Sequence, residues 1–127
     1  MSLQHPNILY VGDRQRGQSF ADHVSEANWS VYIAQALLDA LGHYVMCMPD
    51  LVVIDSTYEP EISSAVYHHL RSIQAAPLLV LTDDATWDLS APDDYYALSP
   101  GTGSFTLQLA ISDILHQQYF DQLALTS

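Results

Sequence analysis

Two short runs constrain this chain more than any other feature: Leu51-Val-Val-Ile54, bracketed by Asp50 and Asp55, and Leu78-Leu-Val-Leu81, set between Pro77 and Thr82. Each is apolar at every position and too short for a helix, which is how a strand buried on both faces reads. Such strands belong to parallel sheets, and parallel neighbours need long crossover connections. The remaining chain must therefore supply helices. Asn7-Ile-Leu-Tyr-Val11, followed by the turn signal Gly12-Asp13, reads as a first strand, Ser-Val-Tyr-Ile-Ala at 30–34 as a second, 50–55 as a third, 77–82 as a fourth and 95–98 as a fifth. Phe20, Ala21, Val24 and Ala27 predict a helix over about 18–27. Leu37, Leu38, Leu41, Tyr44, Val45 and Met48 predict another up to Pro49, and Ile62, Ala65, Val66, Leu70 and Ile73 a third. The last runs from 104 to about 118 with Leu107, Ala110, Ile111, Ile114 and Leu115 inward, and Thr102 or Ser104 as its cap. Residues 83–94, with Trp87 and Pro92 among aspartates, have weak periodicity, so the helix before the fifth strand is short or missing.

Length and charge narrow what such a domain does. A chain of 127 residues suits a single domain, with a core over about 7–118, and 49% apolar residues argue against disorder. The net charge of −12 repels phosphate backbones and anionic lipid, which excludes nucleic acid and membrane surfaces as expected partners. Arg14, Arg16 and Arg71 are the only cationic side chains besides histidine, and there is no lysine, so amine chemistry is excluded. Cys47, the one cysteine, reads as a buried or half-buried thiol. No apolar stretch has the length of a membrane span and no signal peptide is visible, so the expected compartment is the cytoplasm.

In open parallel sheets the ligand site lies beyond the carboxyl ends of the strands. That rule gathers Gly12 and Asp13 after the first strand, Asp55 at the end of the third, Thr82 after the fourth, and Ser99 and Pro100 after the fifth. Two carboxylates and two hydroxyls suit a hard cation such as Mg²⁺, and a carboxylate beside a metal can act as a nucleophile.

The order Ile8-Leu-Tyr-Val-Gly-Asp13, Pro49-Asp-Leu-Val-Val-Ile-Asp55, Leu78-Leu-Val-Leu-Thr82 and Ala97-Leu-Ser-Pro100 resembles the receiver domain of two-component response regulators. The resemblance covers nearly the whole chain and implies an α/β, flavodoxin-like (βα)5 fold with one parallel sheet and helices on both faces. It implies Asp55 as phosphoacceptor, with a histidine kinase as partner, and a Mg²⁺ site formed by Asp13, Asp55 and the carbonyl of Thr57. The switch residues it implies are Thr82 and Tyr96. Three departures stand out. The first of the family's two adjacent acids is Gly12 here; the lysine before the strand 5 proline is Ser99, which cannot supply an ammonium charge to a phosphoryl group; and Thr82 to Ser99 is a short spacing. Arg14 is the candidate to replace part of that charge.

Two signalling expectations follow: a phosphorelay receiver, and a degenerate receiver that serves as a phosphorylation-independent interaction module. An FMN electron carrier of the flavodoxin type fits less well, because Gly12-Asp-Arg-Gln-Arg-Gly-Gln-Ser19 is a poor phosphate loop. A hydrolase using Asp55 covalently lacks a general acid or base, so a regulatory rather than an enzymatic role is expected. His68 and His69, adjacent on a helix, diverge by about 100° and read as one outward and one partly buried histidine rather than as metal ligands. Tyr119, Phe120 and Leu123 either pack on the body or offer a self-association surface for a homodimer.

Overall fold

The computed structural model describes residues 6–25, 29–55, 65, 66, 68, 69, 77–82, 96–99, 101 and 103–126. Strands β1 (Asn7–Val11), β2 (Ser30–Ala34), β3 (Leu51–Asp55), β4 (Leu78–Leu81) and β5 (Tyr96–Leu98) form one sheet in the order β2-β1-β3-β4-β5. All four pairings are parallel. The two continuous apolar runs sit in the interior of the sheet, where every residue of β3 and β4 is buried. Three helices are delimited among the described residues: α1 (Arg14–His23), α2 (Leu37–Cys47) and α3 (Ser104–Thr126).

The period-two alternation of the strands sorts the core into two layers. Ile8 and Tyr10 of β1, Leu51 and Val53 of β3 and Leu79 and Leu81 of β4 pack with Phe20, Val24, Leu107 and Ile111, so α1 and α3 cover that face. Leu9, Val11, Val52, Ile54, Leu78 and Val80 pack with Ala40 and Val66, so α2 covers the other. Val66 lies in helical backbone where a third crossover helix was expected; Ile62, Leu70 and Ile73 of that stripe, and the stretch expected to hold a short or missing helix, lie outside the described residues.

Helix boundaries differ from the sequence reading at three places. Helix α1 begins at Arg14, four residues early, because Asp13 caps it: extended at its backbone, it accepts a hydrogen bond from the Arg16 N–H at 3.0 Å. The helix also ends at His23 rather than near 27, with Val24 leaving helical geometry as its C-cap. Gly17 lies inside the helix and is buried against the sheet. A Cβ at Gly17 would meet Tyr10 Cδ1 at 3.0 Å and Ile33 Cδ1 at 3.2 Å. Alanine ordinarily gains about 1 kcal/mol over glycine in a helix. Tyr10 is pinned, so Gly17→Ala is instead expected to cost about 1 kcal/mol through overpacking. A urea unfolding curve checks the sign, and a stabilised variant would show that α1 can lift off the sheet. Helix α3 starts with Ser104 inside it, after Gly103, whose carbonyl accepts from Leu107 N at 2.9 Å; Thr102, the other expected cap, lies outside the described residues. It continues past 118 to Thr126, so Tyr119, Phe120 and Leu123 extend the helix rather than follow it. Cys47 is half-buried as expected, whereas His68 and His69 are both exposed.

Candidate functional site

The strand order reverses between β1 and β3, and the carboxyl ends of these two strands are where a sheet of this kind opens a site. Asp55 ends β3 there. By alternation it shares the face of Leu51 and Val53, the one that α1 covers, and it is 0% exposed. An ionised carboxylate at that depth needs partners. Two converge on its Oδ2: the Tyr10 hydroxyl donates at 3.1 Å, and Arg16 Nη1 lies at 2.9 Å. Tyr10 pairs with Val53 across β1 and β3, so its ring points along the face toward the residue two places on. Phe20 holds that ring, with centroids 6.3 Å apart.

Arg16 is reached from a different direction. The Asp13 cap orients the first turn of α1, and three residues on, the guanidinium comes down over β3 while its outer side borders a cavity of about 180 Å³ between α1 and the start of α3. The same residue therefore engages both candidate acids: its backbone N–H with Asp13 Oδ2, its guanidinium with Asp55 Oδ2. Arg14, the expected source of compensating charge, instead donates from Nε to Gln35 Oε1 at 3.2 Å.

Gly12 closes the site from above. Its N–H continues the sheet by donating to Ala34 O at 2.9 Å, and a Cβ there would lie 2.7 Å from Asp55 Cβ and 3.2 Å from Tyr10 Cε1. The position carries no acid because it carries no room.

The other expected site residues are more peripheral. Asp55 registers with Leu81, so Thr82 lies one step beyond it on the neighbouring strand, half-buried, its N–H donating to Leu98 O at 2.8 Å. Tyr96 is 37% exposed and borders a groove of about 290 Å³ with Leu79, Leu98 and Ile114. Ser99 is exposed and its Oγ accepts from the Gly101 N–H at 3.2 Å, a local turn. Thr57 and Pro100 lie outside the described residues.

While Arg16 holds Asp55, the donor set among the described residues does not fit a divalent cation. Gly12 supplies no carboxylate, an oxygen of Asp13 caps a helix, and an oxygen of Asp55 is held by a guanidinium, whereas Mg²⁺ wants several oxygens in octahedral array. Among the described residues no cluster of three or more histidine, cysteine or acidic side chains is arranged to hold a metal.

Burial pushes the Tyr10 phenol well above its ordinary pKa of 10.0, and the neighbouring Asp55 charge pushes it further. The hydroxyl therefore stays a donor. Below pH 10 the folded and unfolded chains both keep this proton; above it the unfolded chain releases it and the folded one does not. Stability is thus expected to fall with rising alkalinity, at about 1.4 kcal/mol per pH unit from this residue. Tyr10→Phe removes that contribution, which unfolding curves on both sides of pH 10 will show.

Fold and strand-end carboxylate together define a flavodoxin-like (βα)5 domain. Within that class the chain has the fold of response-regulator receiver domains. It is similar to the signal receiver domain of a protein assigned as a Luxo repressor from Vibrio parahaemolyticus, with a TM-score of 0.79, 13% identity, and coverage of 94% of this chain and 97% of that one. It is similar also to a two-component response regulator from Clostridium difficile (TM-score 0.77, 16% identity, 89% and 98% covered) and to the chemotaxis response regulator CheY4 of Vibrio cholerae (TM-score 0.73, 15% identity, 87% and 98% covered). No protein-family model and no curated protein sequence matches the chain. No helix among the described residues is long and apolar enough to cross a membrane.

Proposed function

We propose that the chain is a receiver-fold regulatory module that works by protein contact, with Asp55 kept as an internally neutralised carboxylate rather than used as a phosphoacceptor. The observation that carries this reading is the state of Asp55: fully buried, with one oxygen engaged by both Tyr10 and Arg16. A carboxylate that attacks phosphorus must present a lone pair to an incoming phosphoryl group, and that group brings negative charge which the site must absorb. Here the carboxylate is already paired, and Ser99 supplies no ammonium where the receiver pattern has one. The partner is then a signalling protein, a histidine kinase or another, recognised through the surface.

A second reading, a phosphorelay receiver in which Asp55 takes a phosphoryl group with Mg²⁺, is favoured by one observation. Asp55 and Thr82 lie at the carboxyl ends of adjacent strands, one register step apart. Beryllofluoride with Mg²⁺, a mimic of the phosphoryl group, separates the two. Amide NMR shifts around Asp55, Thr82 and Tyr96 are expected to stay unchanged; shifts at those positions would replace the first reading with the second.

A further inference from the structure

We propose that Arg16 is a built-in counter-ion that substitutes for the divalent cation of a receiver site and excludes it. The inference deepens the function proposed above and rests on it for the receiver-like placing of Asp55.

Three observations converge. First, Arg16 Nη1 sits 2.9 Å from Asp55 Oδ2, at charge-assisted hydrogen-bond distance, so positive charge already lies against that carboxylate oxygen. Second, Arg16 is not a wandering surface arginine. Asp13 holds its backbone N–H at 3.0 Å and fixes the first turn of α1, so the residue that the resemblance assigns to the metal positions the cation that takes the metal's place. Third, Gly12 removes the remaining acid and brings backbone to where a Cβ would lie 2.7 Å from Asp55 Cβ, which leaves no space for a carboxylate there.

The electrostatic balance follows. Among the described residues the Asp55 carboxylate meets the Arg16 guanidinium, and the Tyr10 hydroxyl adds a neutral donor to the same oxygen. A divalent ion entering this balance would face the guanidinium's like charge and would have to give up hydration water, which Mg²⁺ does reluctantly. It would also have to compete for an oxygen that Arg16 holds. Because the guanidinium is tethered to α1, the pair joins that helix to the end of β3 in every molecule, whatever the metal content of its surroundings.

The test uses the full chain, with Mg²⁺ and paramagnetic Mn²⁺ as probes at matched ionic strength. In the wild-type protein, amides near Asp13 and Asp55 are expected to show no saturable Mg²⁺ shift and no Mn²⁺ broadening. Arg16→Ala is expected to unfold at a lower temperature, to show the saturable Mn²⁺ broadening near Asp13 and Asp55 that the wild type lacks, and to recover part of its thermal stability when Mg²⁺ is added. Adding Asp55→Asn to that variant should abolish the recovery. Where Arg16→Ala does not fold, Arg16→Met keeps the unbranched stem and removes the charge. Saturable Mg²⁺ binding by the wild type as tight as by the variant, or a folded variant that gains no metal response, overturns the proposal. Wild-type Mg²⁺ binding without a beryllofluoride response would overturn the counter-ion and leave the contact-based function standing. Phosphoryl transfer to Asp55 from acetyl phosphate with no divalent cation would do the reverse.

Discussion

Gly12→Ala is expected to destabilise the protein by about 3 kcal/mol, the upper end of what overpacking costs. The added methyl would stand 2.7 Å from Asp55 Cβ and 3.2 Å from Tyr10 Cε1, and neither neighbour is a flexible end that can swing aside. Asp55 is held by an ion pair, and Tyr10 by Phe20 and its own hydrogen bond. Gly12→Asp restores the acid of the receiver pattern, adds a second carboxylate against Asp55, and is expected to be worse than the alanine variant. Urea unfolding midpoints at constant slope measure both. Alanine within about 0.5 kcal/mol of wild type would mean that the backbone over Asp55 yields, and the steric account of the missing acid would fall.

The second large effect is an asymmetry between the partners of the ion pair. Arg16→Ala leaves a fully buried carboxylate with its guanidinium gone, which is expected to cost about 2 kcal/mol, less than for a pair buried on both sides because the guanidinium is 41% exposed. Asp55→Asn should cost only about 1 kcal/mol. The amide oxygen still accepts from Tyr10, and the guanidinium, 41% exposed, can turn to solvent. The carboxylate, fully buried, cannot turn to solvent in this way. With total stabilities of about 5–15 kcal/mol, the arginine variant should be visibly shifted in a denaturant titration. Equal losses in the two variants would place the energy in packing rather than charge.

All five strands were readable because β-branched and aliphatic residues without a polar break leave few alternatives, and the observed ends fall within a residue of those expected. The parallel pairing followed from the helical stretches between them. Helix α1 starts before its apolar residues do, because Arg14-Gln-Arg16 shows no apolar stripe and only the Asp13 cap marks its first turn. The informative cues there, an aspartate cap and a glycine pressed against two strands, become unambiguous only once β1 and β2 are adjacent. The same holds for the site. Asp13, Asp55 and Thr82 lie at strand ends, which linear order reveals. Tyr10 and Arg16 do not, and nothing local marks either as special: Tyr10 reads as one more core residue on an alternating strand, and Arg16 as one more charge on a helix face. Their meeting at Asp55 depends on the register of β1 with β3 and on the angle at which the cap launches α1, both of which are tertiary facts. Arg14, nearer in sequence to the strand end, was the more obvious cation and points instead to Gln35.

An acyl phosphate carries its own clock, because it hydrolyses whether or not anyone is listening; a buried ion pair does not. On the reading proposed here, a message passed by this domain lasts as long as the complex that carries it, so its duration is a residence time governed by dissociation. Its strength then depends on how much of each protein the cell makes.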